Sequence, residues 1–246
     1  MLFNRLLGDM LKFDMHMHTV YSKHWFFGID ALDYPRDMIK AAIKKGLTGI
    51  AITDHNNVRG SLIALKDARS IDKNFKIITG SEIRSASGDI LALGIKENVD
   101  PLQSVEETVE KIRDLGGIAI AAHPFSAFVF RNVLQNEAIK TDGVEIFNAT
   151  NSRFYQDARS MKLANRYNMP VSAGSDAHSM IAVGNAGIIC DSDPLEAIIK
   201  RKVKVFGNYT PYKHIAFQAL SKFGRSAKWL LSKQEKKDIV KEINKY

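Results

Sequence analysis

At five places along the chain, a short run of β-branched and small apolar residues ends in a histidine or an acidic residue. Phe13-Asp14-Met15-His16-Met17-His18-Thr19 is the first, and alternate residues on a strand share a face, so Asp14, His16 and His18 are expected to point one way. Ile50-Ala51-Ile52-Thr53 runs into Asp54-His55, and Ile77-Ile78-Thr79-Gly80-Ser81 into Glu82. Ile118-Ala119-Ile120-Ala121-Ala122 runs into His123-Pro124, and Val171-Ser172-Ala173-Gly174-Ser175 into Asp176-Ala177-His178. Structural histidines have no reason to gather at the carboxyl ends of strands, whereas barrel enzymes assemble their sites there from loops of different strands. Five of the seven histidines fall at such ends. Imidazoles and carboxylates gathered in this way are the donor set of Zn²⁺, Mn²⁺ or Fe²⁺.

Between these runs lie segments of helical period, which makes the chain a series of βα units. Strands are predicted over Leu11–His18, Leu47–Thr53, Phe75–Ser81, Ile90–Gly94, Gly117–Ala122, Gly143–Phe147 and Pro170–Ala173. Helices are predicted over Pro35–Lys45, Gly60–Ser70, Ser104–Leu115, Arg153–Tyr167 and Pro194–Lys202. Ser104 and Glu107 stand at capping-box spacing, and Pro35 and Pro194 suit first turns. The pattern alone fits an open doubly wound sheet or a closed barrel. The convergence of polar strand ends favours the barrel.

The rhythm breaks at Gly207, Asn208 and Pro211. This divides the chain into a barrel over residues 1–206 and a basic helical appendage over 207–246. The formal charge of +8 favours anionic partners. Much of that excess lies from Lys222 onward, which reads as a solvated helix face or as a nucleic-acid contact. The lone Cys190 excludes an intramolecular disulfide framework, and no apolar stretch approaches the roughly 18 residues that would span a bilayer. A cytoplasmic setting is expected, with no membrane insertion. No GxSxG elbow and no P-loop is present, so a metal-activated water is the expected nucleophile.

These residues resemble the PHP (polymerase and histidinol phosphatase) domain family, whose motifs run HxHT, TDH, GxE, AHP and SDAH. All five stand here in order, at His16–Thr19, Thr53–His55, Gly80–Glu82, Ala122–Pro124 and Ser175–His178. The resemblance implies a distorted seven-stranded (β/α)7 TIM-like barrel of the α/β class, holding two or three divalent ions. It also implies a partition of ligands. His16, His18, Glu82 and Asp176 would hold one ion; Glu82 would bridge to a second bound by His123; His55 and His178 would hold a third. His24 falls where some relatives place a further ligand, and it could also assist the leaving group. Asp89 stands where many relatives have a histidine, so the second ion would either take a carboxylate there or be weakly held.

Asp14 and Asp54 either accept ring N–H bonds from neighbouring ligands or bond to backbone. Glu145 and Asn148 end a strand and could line the pocket. Arg84, Arg131, Arg153 and Lys23 lie in loops at the same barrel face and are candidate clamps for phosphate oxygens. The resulting expectation is a metal-dependent hydrolase acting on a phosphorylated small molecule, a nucleotide or metabolite phosphomonoester. The alternatives are a nuclease gripping RNA or DNA through the basic tail, a non-catalytic RNA- or protein-binding barrel, and a carbon–nitrogen hydrolase.

Overall fold

The computed structural model describes residues 10–24, 28–127, 133–151, 154–218 and 220–221. The first half of the fold contains β1 (Leu11–Asp14), the two-residue strands β2 (Lys23–His24) and β3 (Gly28–Ile29), α1 (Pro35–Lys44), β4 (Gly49–Ile52) and α2 (Arg59–Ile71). Next come β5 (Lys76–Arg84), β6 (Asp89–Leu93), α3 (Val105–Asp114), β7 (Ile118–Ala121), a 3-10 turn over Gln135–Lys140 and β8 (Gly143–Asn148). The last elements are α4 (Phe154–Tyr167), β9 (Val171–Gly174), β10 (Ala186–Cys190), α5 (Pro194–Ile199) and β11 (Lys204–Gly207). Each predicted strand and helix has its counterpart, and α3 carries the complete reciprocal capping box of Ser104 and Glu107. No helix among the described residues is long and apolar enough to cross a membrane.

Nine strands form one sheet in the order β11-β10-β1-β4-β5-β6-β7-β8-β9, where the motif resemblance implies seven. The two additional strands, β10 and β11, run antiparallel beside β1 and beside each other. The βα rhythm is also interrupted, because β5, β6 and β7 pair antiparallel without an intervening helix between β5 and β6. The sheet curls until β9, one edge strand, nearly meets β1. Beyond β1, Met17 bridges in parallel to Ala177 beyond β9, the His18 N–H donates to the Ala177 carbonyl at 2.8 Å, and the Asp176 N–H donates to the His16 carbonyl at 2.8 Å. Closure therefore occurs at the two segments that carry His16, His18, Asp176 and His178.

Apolar packing holds these ends in place. Ile90, Ala92, Ala119 and Ala121 pack with Val105, Val109 and Ile112 of α3, while Ile50, Ile52 and Met17 pack with Met38 and Ile39 of α1. Met15 belongs instead with Phe13, Leu91 and Leu93. Phe13 and Met15, two residues apart, thus share one cluster, and Met17, beyond the end of β1, joins another. The barrel expected to finish at residue 206 has its last strand, β11, run on to Gly207. Residues 212–218 are helical, and the rest of the expected appendage, from residue 222, lies outside the described residues.

Candidate metal centre

Four donor atoms from three strand ends meet at one point. His16 Nε2 and His18 Nε2 are 3.2 Å apart, and Glu82 Oε2 lies 3.3 Å from the first and 3.2 Å from the second. Asp176 Oδ1 is 3.3 Å from His18 Nε2 and 3.7 Å from His16 Nε2. All four side chains are buried. Metal–ligand bonds of about 2.0–2.2 Å give tetrahedral edges of roughly 3.3–3.6 Å, so these separations suit donors sharing one cation.

The outward ring nitrogens support the same reading. His16 Nδ1 lies 3.0 Å from Glu145 Oε1, and His18 Nδ1 lies 3.2 Å from the Ser22 hydroxyl. The Ser22 hydroxyl gives its own proton to Asp30 Oδ2 at 3.0 Å, so His18 Nδ1–H is the donor to it. With Nδ1–H donating outward in both rings, both Nε2 lone pairs face the two carboxylates. Such a set of acceptors is stable only around positive charge, supplied by protons or by a cation. Without a cation, burial opposes charge on His18, but the adjacent Asp176 and Glu82 outweigh it and raise its pKa to about 9. His16 is likewise held well above the ordinary imidazole range, with Glu145, Asp176 and Glu82 overcoming burial. Glu82 is held well below the usual carboxylate range, because His55, His16 and the bond from His123 outweigh its desolvation.

Two further groups of donors adjoin this one. His16, Glu82 and His123 form one, with His123 Nε2 at 2.9 Å from Glu82 Oε1. The other ring nitrogen of His123, Nδ1, is buried without a hydrogen-bond partner. His18, Asp30, His55 and His178 form the other group, where Asp30 Oδ2 lies 3.1 Å from His178 Nε2 and 3.5 Å from His55 Nε2. The His178 Nδ1–H donates to the Asp176 carbonyl at 2.9 Å, which leaves Nε2 with its lone pair. Burial lowers the His55 pKa to about 4, more than Glu82 and Asp30 raise it, so this ring is neutral near pH 7.

The backbone is strained where it presents these groups. His123 at φ +29°, Asp176 at φ +51° and Asn56, next to His55, at φ +50° occupy a region that L-residues rarely adopt. The strain is offset locally. Glu145 Oε2 accepts the His123 N–H at 2.8 Å, and the Thr150 hydroxyl lies 2.9 Å from Asp176 Oδ2, which turns Oδ1 toward the histidines.

A family model described as "PHP domain" matches residues 14–223. The chain belongs to the PHP domain family. An uncharacterized protein of Methanocaldococcus jannaschii, MJ1587, is 39% identical over 145 residues, covering 56% of this chain and 82% of that protein. A second uncharacterized protein of the same organism, MJ0417, is 28% identical over 185 residues, covering 72% of this chain and 70% of its own length. Among solved structures, a two-domain protein from Bacteroides vulgatus containing a predicted PHP-like metal-dependent phosphoesterase superposes with a TM-score of 0.63 at 18% identity. That match covers 81% of this chain and 65% of the Bacteroides protein, and it bears on the fold alone.

Within this PHP centre, seven of the nine residues expected as ligands come together: His16, His18, His55, Glu82, His123, Asp176 and His178. Asp89 does not join a ligand group. It is buried, and its Oδ1 takes Arg84 Nε at 3.3 Å across the β5–β6 pair. Burial, and then the Glu82 charge, raise its pKa to about 6. Arg84, expected as a phosphate clamp, is thereby engaged with Asp89. The backbone of His24 lies in β2, and its side chain, like Lys23's, falls outside the described set, as do Arg131 and Arg153.

Asp14 and Asp54 bond to backbone and hydroxyl groups and not to ligand rings. Asp14 accepts the Ser175 and Gly184 N–H groups at 2.8 Å each, and Asp54 accepts the Thr19 N–H at 2.6 Å and its hydroxyl at 2.8 Å. The ring acceptors are Glu145 for His16, Ser22 for His18 and the Asp176 carbonyl for His178. Asp30 and Thr150 were not anticipated. Both stand in loops without periodicity or motif, and only the closed fold brings them to the centre.

Proposed function

We propose that this chain is a metal-dependent phosphoesterase that hydrolyses phosphomonoesters, a nucleotide or small metabolite phosphate, by attack of water on phosphorus. The observation that carries the reading is the convergence of His16 Nε2, His18 Nε2, Glu82 Oε2 and Asp176 Oδ1. The donor set fits divalent ions such as Zn²⁺, Mn²⁺ or Fe²⁺, and the buried, unpartnered Nδ1 of His123 is a further lone pair or proton seeking a partner. Bound there, two or three such ions would supply Lewis acidity and lower the pKa of a water from 15.7 towards about 7.

The protein's own groups divide the remaining work. Glu82 offers Oε2 to His16 and His18 and Oε1 to His123, so one carboxylate serves two adjoining sites. Glu145 fixes the tautomer of His16, and Ser22 that of His18. Burial lowers the His55 pKa to about 4, and a neutral imidazole is the form that ligates a cation. Among the described donors the centre is deep: His55 and His178 are the most exposed, with side chains 15% and 13% exposed, against 5% for Asp30 and 3% for His123. A terminal phosphate on a small molecule reaches such a site more readily than a phosphodiester within a polymer.

His16→Ala, Glu82→Ala and Asp176→Ala are expected to abolish hydrolysis of an aryl phosphate and to deplete bound metal, read by phosphate release and elemental analysis. Undiminished turnover by metal-stripped protein would refute the mechanism. Internal cleavage of a short oligonucleotide, with nucleotide monoesters untouched, would replace the monoesterase with the nuclease.

A further inference from the structure

Beyond β11 the chain stays bonded to the segments that follow β8 and precede β10. The Asn208 N–H donates to the Asn185 carbonyl at 2.7 Å and the Thr210 N–H to the Ala149 carbonyl at 2.7 Å. Tyr209, between them, stacks on Phe147 of β8 with ring centroids 5.0 Å apart. Its hydroxyl donates to Asp157 Oδ2 of α4 at 2.6 Å. Asp157 Oδ1 in turn accepts the backbone N–H of Asn148 at 3.1 Å and Asn151 Nδ2 at 2.7 Å.

Asn148 connects this outer layer to the centre. Its Nδ2 donates to Glu145 Oε2 at 3.0 Å and faces Asp176 Oδ2 at 3.4 Å, while its Oδ1 accepts the Thr150 N–H at 3.0 Å. Glu145 orients His16, and Asp176 is one of the four converging donors. Hydrogen bonds joined through the frame of Asn148 therefore link the exposed Tyr209 to the two carboxylates Glu145 and Asp176. An aspartate in the first turn of α4 could serve the helix dipole alone. Its three donors come instead from Tyr209, Asn148 and Asn151, all outside that helix.

We infer that Tyr209 and Asp157 are positioning residues for the metal centre, acting through Asn148 on Glu145 and Asp176. The inference rests on the metal reading above. It makes the segment after β11 part of the site, although none of its described residues is in the donor groups.

Tyr209→Phe keeps the stack on Phe147 and removes only the hydroxyl. Groups that touch a ligand directly change metal affinity by about 10–100-fold when altered, so for Tyr209, two hydrogen-bonded layers further out, a loss of about threefold is expected. Equilibrium dialysis against Mn²⁺ or Zn²⁺ measures it. The metal concentration giving half-maximal aryl phosphate hydrolysis should rise in parallel, while excess metal restores kcat and KM for the ester stays put. Asp157→Asn should show the same pattern more strongly; if it does not fold, Tyr209→Phe decides alone. A Tyr209→Phe protein that melts earlier yet binds metal like wild type overturns the inference and leaves the metal reading intact. Wild-type protein that retains no metal overturns the reading beneath it.

Discussion

Glu145 shows how one residue of this centre governs others. Its two oxygens serve three donors: His16 Nδ1 at 3.0 Å, the His123 N–H at 2.8 Å and Asn148 Nδ2 at 3.0 Å. In Glu145→Gln one acceptor becomes an NH₂ group, which cannot accept from any of them. Either His16 loses the partner that fixes its tautomer, or the strained His123 backbone and Asn148 lose theirs. The expected cost is about 10–100-fold in metal affinity, with the fold retained, as read by isothermal titration beside circular dichroism. Unchanged affinity would mean that Glu145 orients nothing. The sequence marked Glu145 only as a polar strand end, because its role depends on a pairing with His16 across 129 positions of the chain.

Strands and helices were legible in the sequence to the extent that their periodicity was local. The seven predicted strands and the helices α1 to α5 are present because each carries an apolar run or stripe that reports its own environment. β10 escaped because Gly187-Ile188-Ile189-Cys190 lies outside the βα rhythm, pairing antiparallel with β1 where no crossover helix announces it. The exact meeting of β1 and β9 was also hidden, and Gly174 controls it. A Cβ at that position would lie 2.3 Å from His16 Cβ and 2.7 Å from His16 N. Gly174→Ala must therefore push apart the segments that carry His16 and Asp176. It is expected to cost about 1–3 kcal/mol in denaturant unfolding and to reduce bound metal. A variant with wild-type stability and full metal content would show that this contact yields without consequence.

At the scale of the whole molecule, the centre ties together segments that include residues 16, 82, 123 and 176, so ligand binding there is also folding free energy. A cation that binds only the folded chain at 100 times its Kd adds about 2.7 kcal/mol. How much its removal is felt depends on what replaces it. In metal-free protein the proton on His18 partly does so, because the folded pKa of about 9 exceeds the ordinary imidazole value of 6.5. A raised histidine stabilises fully below the unfolded pKa, and that contribution is lost as pH rises through the folded one. Chelation at pH 6.5 therefore leaves a proton-supported centre, whereas chelation near pH 9 leaves facing lone pairs and carboxylates with that support fading. Metal binding, by contrast, must displace these protons and so strengthens with pH over the same window. Calorimetric melting with and without a chelator should consequently show a larger fall in Tm at pH 9 than at pH 6.5. An equal fall at both pH values would mean that protons and cations do not compete for these four donors.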